Sequence, residues 1–151
     1  MTDQAASLVA QAKEWAGRYG AYPNGPEGAA LTVPLRAHAA WEANDADALA
    51  ELFADNGSEL IGDTQLKGRE EIRSYMAEGF AGPYRGMRAQ GEPLKVELLT
   101  DDVALAVTEG GYVREGQSSV APQDELRALW VMVRRDGDWK LLVHQTSPLK
   151  G

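Results

Sequence analysis

The sequence contains no cysteine. That excludes disulfides, thiolate nucleophiles and Cys-ligated zinc or iron–sulfur centres. Histidine occurs only at His38 and His144, without the paired helical spacing of a zinc motif, so no metal is expected. Basic residues are scarce: 15 Lys and Arg against 23 Asp and Glu leave a net charge of −8. This is the wrong sign for a nucleic-acid backbone or an anionic membrane surface. No run approaches the ~18 apolar residues of a membrane span. The start, Met1-Thr2-Asp3-Gln4, has neither the basic residues nor the apolar stretch of a secretory signal, so the expected location is the cytoplasm. There is no nucleophile elbow and no phosphate loop. Gly68-Arg69-Glu70-Glu71 opens a helix without the glycine spacing of a dinucleotide fingerprint, and no cofactor is expected.

What is present is a chain of 151 residues, 44% hydrophobic and 25% charged, the balance of one globular domain with a buried core. Residues 1–28 read as an N-terminal helical extension and linker. Leu8, Val9, Ala12, Trp15 and Ala16 make a stripe between Ala5 and Tyr19, and Tyr22-Pro23-Asn24-Gly25-Pro26 is dense in breakers. Residues 29–149 form the main domain. A helix is expected over Val33–Asn44, capped by Thr32 with Pro34 in its first turn. Asp45 caps a short helix carrying Leu49, Leu52 and Phe53, stopped by Asn56-Gly57. Ser58–Gly62 reads as a strand, and a helix after Gly68 buries Ile72, Tyr75, Met76 and Phe80. The period then changes from 3.6 to 2. Leu94, Val96 and Leu98 alternate with Lys95 and Glu97, and further strands cover Val103–Val113, Leu126–Arg134 and Trp139–Ser147. Asp136-Gly137 between two of them is a hairpin signal. Helices first and strands afterwards predict an α+β fold. A strongly curved antiparallel sheet then leaves a hollow suited to a small apolar ligand.

Several segments carry a resemblance. Ala40-Trp41-Glu42-Ala43-Asn44-Asp45 through Phe53-Ala54-Asp55, then Leu66-Lys67-Gly68-Arg69-Glu70-Glu71-Ile72, Asp101-Asp102-Val103-Ala104 and Arg134-Arg135-Asp136-Gly137-Asp138-Trp139 together resemble the nuclear-transport-factor-two-like superfamily over about Ala30 to Pro148. Gly79-Phe80-Ala81-Gly82-Pro83, Glu109-Gly110-Gly111 and Ala128-Leu129-Trp130-Val131 are similar to its SnoaL-like group, in particular to SgcJ/EcaC-type proteins of enediyne and polyketide biosynthesis. The resemblance implies a cone-shaped mixed sheet wrapped around N-terminal helices, with an internal pocket. It also implies what is missing. The tyrosine and two aspartates of ketosteroid isomerase, a relative of similar size, fall on Ala37, Ile61 and near Val131, all apolar here.

A regular hairpin with Arg135 opposite Asp138 places Arg127, Leu129 and Val131 beside Thr146, His144 and Leu142 on one face, taken as the pocket face. His144 is the first candidate for proton transfer, against a structural strand histidine. Arg127 is a clamp for anionic oxygen, or else an ion-pair partner of Glu109 or Glu125. Strand alternation joins Glu59, Ile61 and Asp63, so Glu59 or Asp63 supplies a carboxylate, with Asp63 equally readable as a turn residue. Trp41, Tyr75, Ile61, Leu129 and Thr146 are expected to line the pocket, and His38 to face solvent or a neighbouring helix. The opposite face, with Trp130 and Met132, is expected to form a homodimer interface. Three functions are compatible with these residues. One is a cofactor-free enzyme acting on a polyketide-like intermediate by cyclisation, isomerisation or hydration. The others are a carrier for an apolar metabolite and a dimerisation scaffold for partner enzymes.

Overall fold

The structure is a computed structural model that describes residues 26–149. The expected Ala5–Tyr19 helix lies outside the described residues. Helix α1 spans Pro26–Ala43, so it begins inside the stretch assigned to the linker and well before Val33. Thr32 is therefore not a cap. Its hydroxyl lies within the helix and donates to the Ala29 carbonyl at 2.6 Å. Ala30, Leu31, Val33, Leu35, Ala37, Ala39, Ala40 and Trp41 are all buried, the pattern of a helix enclosed on most sides rather than amphipathic. Helix α2, Ala46–Glu51, is capped as expected: Asp45 accepts the Ala48 N–H at 3.0 Å. Phe53 does not continue it. Strand β1 runs Phe53–Ile61, and Asn56-Gly57 falls inside that strand. Strand β2 is Thr64–Lys67 and helix α3 is Arg69–Ala81. Then come β3 (Arg88–Thr100), β4 (Val103–Val113), a 3-10 turn at Pro122–Asp124, β5 (Glu125–Arg135) and β6 (Asp138–Pro148).

The six strands make one open sheet in the order β2-β1-β6-β5-β4-β3. All neighbours are antiparallel except β1 and β6, which are parallel. The helices pack on one face of this mixed sheet, α1 against β3 and β6 and α3 against β1. Between them lies a core that includes Phe53, Ile72, Met76, Met132, Trp139 and Leu141. Among the described residues no helix is long and apolar enough to cross a membrane.

The β5–β6 hairpin turns on Asp136 (φ 54°) and Gly137 (φ 77°), the left-handed pair that a two-residue turn requires. Pairing is regular from Arg135 opposite Asp138 to Met132 opposite Leu141. Beyond that, Val131 faces Val143, so Leu142 is an extra residue on β6. Such a bulge shifts every later pair by one. His144 consequently lies beside Trp130 and Thr146 beside Ala128, not beside Leu129 and Arg127. The face chosen for β6 holds for His144 and Thr146 but not before the bulge, where Leu141 and not Leu142 faces the interior, and the face chosen for β5 is inverted. Trp130 (3% exposed) and Met132 (0%) belong to the interior and cannot form an outer interface.

Candidate functional site

The interior of the sheet carries a row of polar and aromatic side chains across four adjacent strands. Glu59 on β1 stands beside His144 on β6 in the parallel register. His144 Nδ1 and Glu59 Oε2 are 2.9 Å apart. The His144 ring lies against the Trp130 indole of β5, with centroids 4.1 Å apart. Trp130 Nε1–H in turn donates to Thr108 Oγ1 of β4 at 2.8 Å. His38 reaches down from α1 and meets the same indole edge-on, with centroids 5.9 Å apart. The only two histidines of the chain, 106 positions apart (144 − 38), thus converge on one tryptophan.

All five side chains are buried, Glu59 to 2% exposure and the histidines to 9% and 7%. Burying a carboxylate is costly unless it is paired, and only one of its oxygens is. Oε1 of Glu59 has no hydrogen-bond partner among the described residues. Burial, followed by the charge of His144, pulls the His38 pKa down to about 4, so His38 is a neutral imidazole at neutral pH. Burial also pushes the phenols of Tyr84 and Tyr112 above their ordinary range. The hydrogen bond to Tyr75 adds to it at Tyr84, and the charge of Glu59 at Tyr112. Both phenols keep their protons.

Two chambers adjoin here, and the row lines the inner one. The inner one, about 30 Å³, is lined by Ala37, His38, Trp41, Glu59, Thr108, Trp130 and His144 among others. The outer one, about 350 Å³, is walled by Ile61, Pro83, Tyr84, Met87, Arg114 and Pro148. Tyr112, Leu126 and Thr146 line both and make up the shared wall, or neck, between them. Trp41 braces the neck from the helix side, its ring 4.7 Å from that of Tyr112 and 5.7 Å from that of Tyr84.

Of the residues named from sequence, the structure brings His144, Glu59, Trp41 and Thr146 together at the inner chamber. Ile61 lies at the outer chamber. Asp63 borders that chamber too, but as an exposed residue of the turn after β1. Four expectations are corrected. Arg127 lies on the outer face, its side chain 52% exposed and paired with Glu109 at 3.2 Å, because β5 alternates without interruption while the Leu142 bulge turns His144 to the side of Trp130. Leu129 follows it outward, opposite exposed Gln145. Tyr75 lines neither chamber, and its hydroxyl is engaged with that of Tyr84 at 2.9 Å. His38 points inward rather than to solvent or a neighbouring helix, and sequence reasoning put Trp130 on the outer face and did not reach Thr108 or Tyr112. Strand alternation on β4 marks Thr108 as an inward polar residue, whereas nothing in the local pattern of β6 announces the extra residue.

Comparison with known proteins agrees with this architecture. The SnoaL-like domain matches residues 32–150. Among solved structures, a domain of unknown function with a cystatin-like fold from Nostoc punctiforme is 21% identical. It superimposes with a TM-score of 0.71 over 77% of this chain and 72% of that one. An NTF2-like protein with a cystatin-like fold from Novosphingobium aromaticivorans is 22% identical, with a TM-score of 0.67 over 79% of each chain. A ketosteroid isomerase-like protein from Erwinia carotovora atroseptica is 16% identical, with a TM-score of 0.66 over 83% of this chain and 98% of that one. At such identities the likeness is one of fold. No curated protein matches the chain significantly.

Proposed function

Because the chain belongs to the SnoaL-like domain family, we propose that it is a cofactor-free acid–base enzyme acting on a small, largely apolar metabolite that bears a carbonyl group, of the polyketide type. The observation that carries this reading is the Glu59–His144 pair, buried at the inner end of a two-chamber pocket. An ionised carboxylate can only accept, so with Glu59 charged the Nδ1–H of His144 donates to it and Nε2 keeps its lone pair. Either member of the pair can carry the proton: imidazole gives and takes protons near neutral pH, and Glu59 keeps Oε1 without a partner among the described residues, open to accept one. The outer chamber has the size of ordinary metabolite pockets, roughly 300–1,000 Å³, and its walls are mainly apolar. The polyketide class is supported by the family and by the resemblance of the Gly79–Pro83 and Ala128–Val131 segments to SgcJ/EcaC-type proteins.

The test is exchange of carbon-bound hydrogen. A panel of cyclic and aryl ketones is incubated with the protein in D2O, and loss of the α-hydrogen signals is followed by NMR. The wild type should accelerate exchange, and Glu59→Gln and His144→Asn should each lower it by at least about a hundredfold. Exchange that is the same with both variants would overturn the reading and leave a carrier, whose ligand is then sought by mass spectrometry of the denatured protein.

The outer sheet face favours an addition to this reading. Leu105 and Val107 on β4, Leu129 and Val131 on β5 and Val143 on β6 form a half-buried aliphatic stripe. We propose that a second copy of the chain covers it, since a contiguous apolar face of this kind marks an interface. Sedimentation should give a dimer that Val131→Lys converts to a folded monomer. A wild-type monomer at micromolar concentration would reject the dimer and, with it, the scaffold alternative.

A further inference from the structure

The two chambers differ about tenfold in volume, and this difference narrows the chemistry. Some 30 Å³ accommodates one or two waters, which need roughly 10–15 Å³ each on this measure. It does not accommodate the body of a metabolite, which fits only in the outer chamber of about 350 Å³. The inner chamber also has the polar atoms that a buried water requires, two to four partners. Glu59 Oε1 is buried and without a partner among the described residues, and an acceptor in that position is expensive unless a donor meets it. The Thr108 oxygen already accepts from Trp130, so its own O–H is available to donate. His38 and His144 line the same space.

We infer that the inner chamber is a water site and that the reaction served by Glu59 and His144 is the reversible addition of that water to a conjugated carbonyl compound held in the outer chamber. This rests on the acid–base reading above and selects hydration from among its possible reactions. The substrate's β-carbon sits at the neck formed by Tyr112, Leu126 and Thr146. As the water oxygen bonds to that carbon, the C=C electron pair moves onto the carbonyl oxygen to give an enolate, and the water's proton passes to Glu59 Oε1. The enolate then collapses and its α-carbon takes the proton back from Glu59. One H2O is gained, nothing is oxidised or reduced, and the carboxylate is regenerated. His144 holds Oε2 throughout, so that Oε1 faces the water.

The experiment has two arms. The first is a crystal structure of the wild-type protein at high resolution. It should show a water within hydrogen-bond distance of Glu59 Oε1 in a chamber closed to larger molecules, and a chamber without water overturns the proposal. The second incubates the protein with 4-phenyl-3-buten-2-one and its cyclic enone analogues in H2¹⁸O. The ¹⁸O label at the new β-hydroxyl is located by fragmentation in mass spectrometry. Label should enter with the wild type and fall at least a hundredfold with Glu59→Gln. The α-hydrogen exchange assay runs alongside as the control. Exchange without β-label leaves the acid–base reading standing and removes hydration, while neither exchange nor label removes both.

Discussion

Two charged clusters in this protein are built on opposite plans. On the surface, Arg73 lies 2.7 Å from Asp47, 2.7 Å from Glu51 and 3.2 Å from Glu70, with acids that are 59–80% exposed. Its guanidinium lowers the Glu51 pKa, chiefly through their hydrogen bond. In the interior, a single carboxylate meets a single imidazole at 2.9 Å, with side chains 2% and 9% exposed. The surface cluster has three ion pairs against this one contact and ties α2 to α3, yet water and salt screen each of them. The interior pair has lost its hydration, so any change of partner or proton is felt in full. Counting ion pairs therefore points to the wrong end of the molecule. Desolvation points to the pocket.

The largest effect should come from breaking the interior pair on one side. Glu59→Ala removes the partner of His144 and leaves a buried polar gap. Urea denaturation should show a loss of about 3–5 kcal/mol, and an unchanged midpoint would put the pair on a level with the surface cluster. The second effect depends on pH. The folded chain protonates His38 only near pH 4, whereas an unfolded histidine takes up its proton near 6.5. The unfolded state thus binds more protons across this window, so stability is fully present above about 6.5 and falls as pH drops towards 4. At 1.36 kcal/mol per pH unit the loss reaches up to about 3 kcal/mol. His38→Gln should flatten that part of the stability–pH curve relative to wild type, and parallel curves would show that His38 does not titrate in this way. Trp130→Phe comes third. It leaves an aromatic ring beside His144 but takes the donor away from Thr108, at a cost of about 1–2 kcal/mol. Its value lies in the pocket, because a shifted His144 ring signal in NMR would place the imidazole against this indole. Smallest of all, Arg73→Ala should barely move the melting temperature, and less still in high salt. A loss comparable with that of Glu59→Ala would mean that the α2–α3 junction, not the pocket, is the sensitive element.

Much of this architecture is legible because it is encoded locally. Asp45 caps its helix whatever surrounds it. Asp136-Gly137 supplies two left-handed residues for a tight turn, and the change of period from 3.6 to 2 marks where helices give way to strands. His144, Glu59, Trp41 and Thr146 were reachable by the same means. Other features were not. Phe53 reads as the last apolar residue of a short helix until the strand it begins pairs with Leu141, a partner 88 positions away (141 − 53). Arg127 and Leu129 exchange places with Trp130 and Ala128 because one residue, Leu142, is left out of the ladder.

The sequence by itself determined the order of elements, the turn chemistry and the α+β class, since each of these follows from neighbours in the chain. Only the tertiary structure decided which side of β5 is the inside, and that both histidines share one indole. A bulge costs little locally. It arises where packing against α1 and pairing with β1 require His144 and Trp130 to face the same core, and those partners are distant in sequence.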